Sequence, residues 1–189
     1  MSLTNNVHRF HEVITNNKRA GYYKRDPDLF DYHFGSLAEE NIMIAEFIKA
    51  IKHLANNTDG YDIVFRPHLN EKIEAWKVFL EDIPNVHVIR NGTINAWVNH
   101  AFAVMHNGCT TALEATVSGK PVVTYVPFKQ KYPREIPNML GYLVNSKEDL
   151  SKKVNSIFKD IQNRNKKENF NKIPEILLNK IYLDNNELA

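Results

Sequence analysis

The fold is decided by the stretch Phe102-Ala103-Val104-Met105-His106-Asn107-Gly108-Cys109-Thr110-Thr111, followed by a helical pattern to Val117, Gly119, and then Pro121-Val122-Val123-Thr124-Tyr125. An apolar run of strand length enters a Gly-containing turn. Two threonines open a helix, Gly119 closes it, and a second apolar run follows. Neither run alternates apolar with polar residues, which is the pattern of strands buried on both faces of a parallel sheet.

The same alternation extends outward from this stretch. Upstream, Tyr61-Asp62-Ile63-Val64-Phe65 reads as a strand ended by Arg66-Pro67-His68, and Ile73, Trp76 and Leu80 mark one face of a helix over residues 71–80. Val86-His87-Val88-Ile89 is the next strand, and Thr93 caps a short helix with Ile94, Trp97 and Val98 inward. Earlier still, Ser36-Leu37-Ala38-Glu39 has the form of a capping box. Behind it Ile44, Phe47, Ile48, Ile51, Leu54 and Ala55 share a helical face, stopped by Asn56-Asn57-Thr58-Asp59-Gly60. Val7, Phe10, Val13 and Ile14 predict a short helix ending near Asn16-Asn17, and residues 18–31, polar and interrupted by Pro27, read as loop. Downstream, residues 147–161 are helical in pattern, and the Asn/Lys-rich residues 162–171 lead to an apolar-faced segment from Ile173 to Tyr182. Strands alternating with helices through short links predict an α/β chain, a Rossmann-like doubly wound parallel sheet with right-handed crossovers. The expected division is an N-terminal segment 1–35 with a short helix, a Rossmann-like domain 36–161, and a C-terminal linker and helix 162–189.

Composition narrows the function classes. The 189 residues suffice for a globular core, with 43% hydrophobic, 11% aromatic, 7 Gly and 8 Pro, a profile far from disorder. A net charge of +2 excludes a general polyanion binder, so no nucleic-acid partner is expected and any phosphate must be met by a local site. The single cysteine, Cys109, excludes an internal disulfide and fits a reducing compartment. No stretch approaches the roughly 18 apolar residues of a membrane span. The N-terminus lacks the layout of a secretory signal, and the expected location is cytoplasmic. Met1-Ser2-Leu3 reads as a cloning remnant, which would make the chain a piece of something longer.

In an open parallel sheet, ligands bind beyond the carboxyl ends of the strands. Three strand ends carry special residues: Arg66-Pro67-His68, His106-Asn107-Gly108-Cys109-Thr110-Thr111, and Val126-Pro127 onward. A single sheet would bring them together. In the second, Gly108 permits close backbone approach, Thr110 and Thr111 can donate to phosphate oxygens, and Glu114 one turn on can accept from ribose hydroxyls. The plainer reading makes the threonines helix caps and Glu114 a solvated side chain. Pro67 stiffens the turn that aims His68, which either meets a phosphate as general acid or merely caps Leu69-Asn70-Glu71. Arg66 is open between a phosphate fork and an ordinary ion pair. The cluster Lys129, Lys131 and Arg134 is a solvated basic loop or a contact for an acidic ligand. His106 and Cys109 have zinc-like spacing, yet no further Cys or His pair completes a tetrahedral set, and Cys109 has no legible partners as a nucleophile. No metal or other cofactor is expected.

Taken together, Val64-Phe65-Arg66-Pro67-His68, Asn85-Val86-His87-Val88, Trp97, Val104 through Thr111, Glu114-Ala115 and Gly119-Lys120-Pro121-Val122-Val123 resemble a known pattern. It is that of the C-terminal, donor-binding domain of GT-B glycosyltransferases. The set looks closest to bacterial surface-carbohydrate biosynthesis proteins, and is more distantly similar to CDP-glycerol glycerophosphotransferases and to capsule sialyl and Kdo transferases. It covers about residues 36–145, and Ile136-Pro137-Asn138 also fits. The resemblance implies a transferase of cell-surface polysaccharide assembly, working at the inner face of the membrane. Such a protein binds a nucleotide-sugar or activated polyol phosphate and passes the group to a glycan acceptor. Carried over by position, His68 takes the catalytic role, and Arg66, His106, Asn107, Gly108, Cys109, Thr110, Thr111 and Glu114 form the donor site. It further implies that the N-terminal GT-B domain is missing, and with it activity of this piece alone. No strand pattern precedes the helix at Leu37, so the first strand of the domain is expected to be lacking, with rearrangement, homo-oligomerisation or recruitment of the N-terminal segment to cover the gap. The rival expectations are a nucleotide-sugar epimerase of the same architecture and a non-catalytic α/β interaction module.

Overall fold

The computed structural model describes residues 15–58, 60–68, 71–132 and 135–163. The apolar positions Val7 to Ile14, residues Leu69, Asn70 and Arg134, and the segment Ile173–Tyr182 lie outside the described residues. The chain is mixed α/β with parallel strands throughout, and its pairing falls into a two-stranded and a three-stranded sheet. Each sheet belongs to one of two compact units. The first unit draws on residues to Asn91 together with Pro127–Tyr132, and the second on Gly92–Val126 and the residues after Tyr132.

In the first unit, α1 (Tyr22–Arg25) leads to the long α2 (Asp28–Ala55). The loop expected over residues 18–31 is therefore largely helical. Pro27 stands immediately ahead of α2, where a missing N–H is no loss, and Asp28 and Asp31 sit in the first turn, where the helix dipole favours them. The capping box expected at Ser36 does not form, because the helix runs straight through it. Glu39 instead accepts the backbone N–H groups of Lys131 (2.6 Å) and Tyr132 (3.1 Å). The apolar face predicted behind it is buried, with Met43, Ile44, Phe47, Ala50, Ile51, Leu54 and Ala55 in the core. β1 (Ile63–Phe65) pairs in parallel with β2 (Val86–Val88), Ile63 opposite Val86 and Phe65 opposite Val88. Between them α3 (Ile73–Leu80) buries Trp76 and Leu80, and the Trp76 ring lies 4.2 Å from that of Phe65, a contact of about 1 kcal/mol beyond area burial.

The second unit holds α4 (Ile94–His100), β3 (Val104–His106), α5 (Thr111–Val117), β4 (Val122–Tyr125), α6 (Glu135–Asn138), β5 (Tyr142–Val144) and α7 (Lys147–Gln162). The strand order is β3-β4-β5, all parallel, with His106 opposite Thr124 and Tyr125 opposite Val144. β4 is central and buried at every position, which is why its sequence shows no alternation. Thr93 caps α4 as expected, accepting from the Ala96 amide at 3.3 Å, and Ser146 caps α7 through the Asp149 amide at 3.0 Å. Val98, Ala112, Ala115, Val122 and Leu140 form the core, with Ile94, Val104 and Leu113 against it. β5 is not anticipated by the sequence. It opens at Gly141, whose φ of +72° and close approach to the Val122 carbonyl leave no room for a Cβ.

Candidate functional site

The structure sets the residues expected to form the site at the carboxyl ends of two different sheets. Arg66, Pro67 and His68 follow β1 on the first unit. His106, Asn107, Gly108, Cys109, Thr110, Thr111 and Glu114 follow β3 or lie on α5, all within the second.

On the first unit, the turn after β1 is locked by Glu71. The His68 N–H donates to Glu71 Oε2 at 2.6 Å, and the Glu71 N–H donates back to the His68 carbonyl at 2.9 Å. Glu71 is 3% exposed, and its carbonyl in turn accepts from Arg90 Nη2. Pro67 is buried, whereas the His68 side chain is exposed. Arg66 Nη1 donates to the Asn91 carbonyl at 2.8 Å, and partial burial lowers its pKa from the ordinary value. The two bonds between His68 and Glu71 involve only the backbone of His68, and Leu69 and Asn70, which His68 was expected to cap, lie outside the described residues.

On the second unit, the β3–α5 turn is pinned to its neighbours. Asn107 Nδ2 donates to the carbonyl of Tyr125 at the end of β4 (2.8 Å), and the Gly108 N–H donates to Asn138 Oδ1 of α6 (2.6 Å). Gly108 has φ +63°, the left-handed conformation the turn requires. Its amide is committed to Asn138, while the amides of Cys109, Thr110 and Thr111 make no hydrogen bond among the described residues. Cys109 Sγ donates to Thr111 Oγ1 at 3.2 Å. Thr110 occupies the position before α5 yet its side chain makes no capping bond, so the plainer account of that residue as a cap is not what forms.

Two polar side-chain atoms of the turn and of α5 are buried without a hydrogen bond among the described residues: Nδ1 of His106 and Oε2 of Glu114. Glu114 is half-buried as a residue, with Oε2 shielded from water. His106 is 3% exposed, and burial pushes its pKa down to about 4, so the ring is neutral near pH 7. Its Nε2 lies 2.8 Å from Thr124 Oγ1. Thr124 and Asn138 are the residues that sequence reasoning missed as parts of this site. The signal for Thr124 was a hydroxyl in an otherwise apolar central strand. The signal for Asn138 was its place in the Ile136-Pro137-Asn138 segment.

Of the basic loop, Lys131 stands 5.2 Å from the centre of the Tyr132 ring. Its pKa is raised, chiefly by the hydrogen bond and charge of Tyr132, then by Asp31 and Glu39. Among the described residues no three His, Cys, Asp or Glu side chains gather to hold a metal, and no helix is long and apolar enough to cross a membrane. Neither protein-family models nor curated proteins match this chain.

Proposed function

We propose that this chain is the donor-binding part of a GT-B-type transferase of cell-surface polysaccharide assembly, taking a nucleotide-activated sugar or polyol phosphate. The doubly wound sheet and the cytoplasmic location at the inner face of the membrane belong to the same reading. One observation carries it. The β3–α5 turn, at the carboxyl edge of a parallel sheet, keeps His106 Nδ1 and Glu114 Oε2 buried and without a hydrogen bond among the described residues. A buried acceptor with no partner forfeits about 1–3 kcal/mol, and a ligand that supplies the missing donors recovers it. A ribose presents adjacent hydroxyl donors of the kind Glu114 would accept. The amides of Cys109 to Thr111 and the hydroxyls of Thr110 and Thr111 would hold the departing nucleotide phosphate, which is electrostatic stabilisation of a leaving group.

Calorimetry with a panel of nucleoside mono- and diphosphates tests this. Binding lost in Glu114→Ala and Thr111→Val supports it. A panel that binds nowhere overturns it and leaves the α/β interaction module. His68 is tested apart from the turn. The variant is His68→Ala, at an exposed position of the first unit. A roughly tenfold loss of nucleotide affinity is expected if the imidazole meets the phosphate, and unchanged affinity removes His68 from the site.

A further inference from the structure

The hydrogen-bond chain behind His106 settles which of its nitrogens carries the proton. Thr124 Oγ1 lies 2.5 Å from the Leu140 carbonyl oxygen and 2.8 Å from His106 Nε2. A carbonyl only accepts, so the one hydroxyl proton goes to Leu140. The Thr124 oxygen then offers a lone pair to Nε2, and the short contact requires a proton on that nitrogen. Because the ring is neutral, Nδ1 carries a bare lone pair. This Nδ1 is buried and has no hydrogen bond among the described residues. Glu114 Oε2, a buried acceptor on α5, is likewise without one.

A lone pair and a carboxylate oxygen both repel phosphate oxygens and both accept from O–H or N–H groups. We infer that His106 Nδ1 is a specificity-determining acceptor, one that takes a hydrogen bond from an uncharged O–H or N–H of a nucleoside moiety and makes no contact with phosphate. Thr124 is the positioning residue that fixes the tautomer. This inference rests on the donor-binding reading above and divides the site it describes: phosphate on the Cys109–Thr111 side of the turn, nucleoside on His106.

Nitrogen-15 NMR of the histidine rings in the whole chain provides the test, with His106 assigned by its loss in His106→Gln. The probes are UMP, CMP, their 2′-deoxy forms, and inorganic phosphate, and calorimetry on the same samples reports whether each binds. In the free protein, Nδ1 should show the signature of an unprotonated acceptor that holds from about pH 6 to pH 8. A bound nucleotide should shift it, and inorganic phosphate should not. A shift lost with the 2′-deoxy forms assigns the donor to the ribose 2′-hydroxyl, and a shift kept assigns it to another hydroxyl or a base N–H. Thr124→Ser should keep the nucleotide affinity, whereas Thr124→Val should lower it about tenfold. A proton found on Nδ1, a nucleotide that binds without moving Nδ1, or a shift caused by phosphate alone overturns the inference while the transferase reading stands. Absence of binding by every nucleotide overturns both.

Discussion

Glu39 accepts the backbone N–H of Tyr132 at 3.1 Å, across 93 residues of chain, and with its other oxygen accepts that of Lys131. One carboxylate on α2 thereby fastens the Pro127–Tyr132 segment to the first unit. The Tyr132 ring covers Gly35, where any Cβ would collide with it, and packs edge-on at 5.0 Å from Tyr32. Removing the carboxylate should release this segment. Glu39→Ala is expected to lose about 1–2 kcal/mol of unfolding free energy, reduced from the full value of charged hydrogen bonds by partial exposure. Faster amide exchange at Lys131 and Tyr132, with α3 unaffected, is the local readout. Unchanged exchange there would mean that the ring packing alone holds the segment.

Thr124 donates to Leu140 and accepts from His106 in a place water does not reach, since the threonine is fully buried. Thr124→Val preserves shape and deletes both bonds, so two buried polar groups lose their partner. A loss of about 1–3 kcal/mol in urea unfolding is expected, most of it restored in Thr124→Ser. A neutral Val substitution would show that the network contributes positioning rather than stability.

Acid should weaken the fold through His106. Its folded pKa is depressed to about 4, below the ordinary value of 6.5, so the unfolded chain binds the proton more readily. The full contribution is present above about pH 6.5 and is lost as pH falls from there toward 4, by up to about 1.4 kcal/mol per unit. Urea midpoints measured at pH 7, 6 and 5 should decline less steeply in His106→Gln than in the parent chain. Equal slopes would place the acid sensitivity elsewhere.

Asn138 holds the Gly108 amide at 2.6 Å, tying the β3–α5 turn to α6. Asn138→Ala removes that acceptor, and the expected cost is about 1 kcal/mol together with faster exchange of the Gly108 amide. Asn138→Asp, which keeps the oxygen, should preserve the protection. If both variants exchange alike, the turn is held by Asn107 and Tyr125 without help from α6.

Legibility followed the boundary signals. The stretch from β3 to β4 was readable because each junction carries its own chemistry: a left-handed Gly108, threonines before α5, and Gly119 after it, with φ +66°. The start of α2 is hidden in the sequence because Pro27 and its polar neighbours look like a loop, and because Ser36 and Glu39 fit a cap. The Tyr132 contact at Gly35 is tertiary support that local spacing does not reveal, whereas the Phe30–Phe34 ring pair, 4.2 Å apart at one-turn spacing, is a local helical signal. At the site, His106 was named from its place at a strand end. Its role as an acceptor depends on Thr124 and Leu140, 18 and 16 residues from the atoms they serve, and follows only from the β3–β4 register and the path of the chain before β5. β5 itself spans Tyr142–Val144.

Gly141 is where that strand is decided. Its φ of +72° is a conformation side chains rarely adopt, and a Cβ would meet the Val122 carbonyl and Cβ on the central strand. Backbone cannot yield there as a flexible side chain would, because Val122 is itself paired opposite Val104 and fully buried. Gly141→Ala should therefore cost more than about 2 kcal/mol, combining left-handed strain with the clash. Gly119→Ala is the control. It shares the positive φ, at +66°, but a Cβ there meets nothing within 4 Å, so only the strain of about 1 kcal/mol should appear. Equal losses for the two would show that strain alone sets the requirement, and that the packing of β5 against β4 tolerates a methyl group at its entrance.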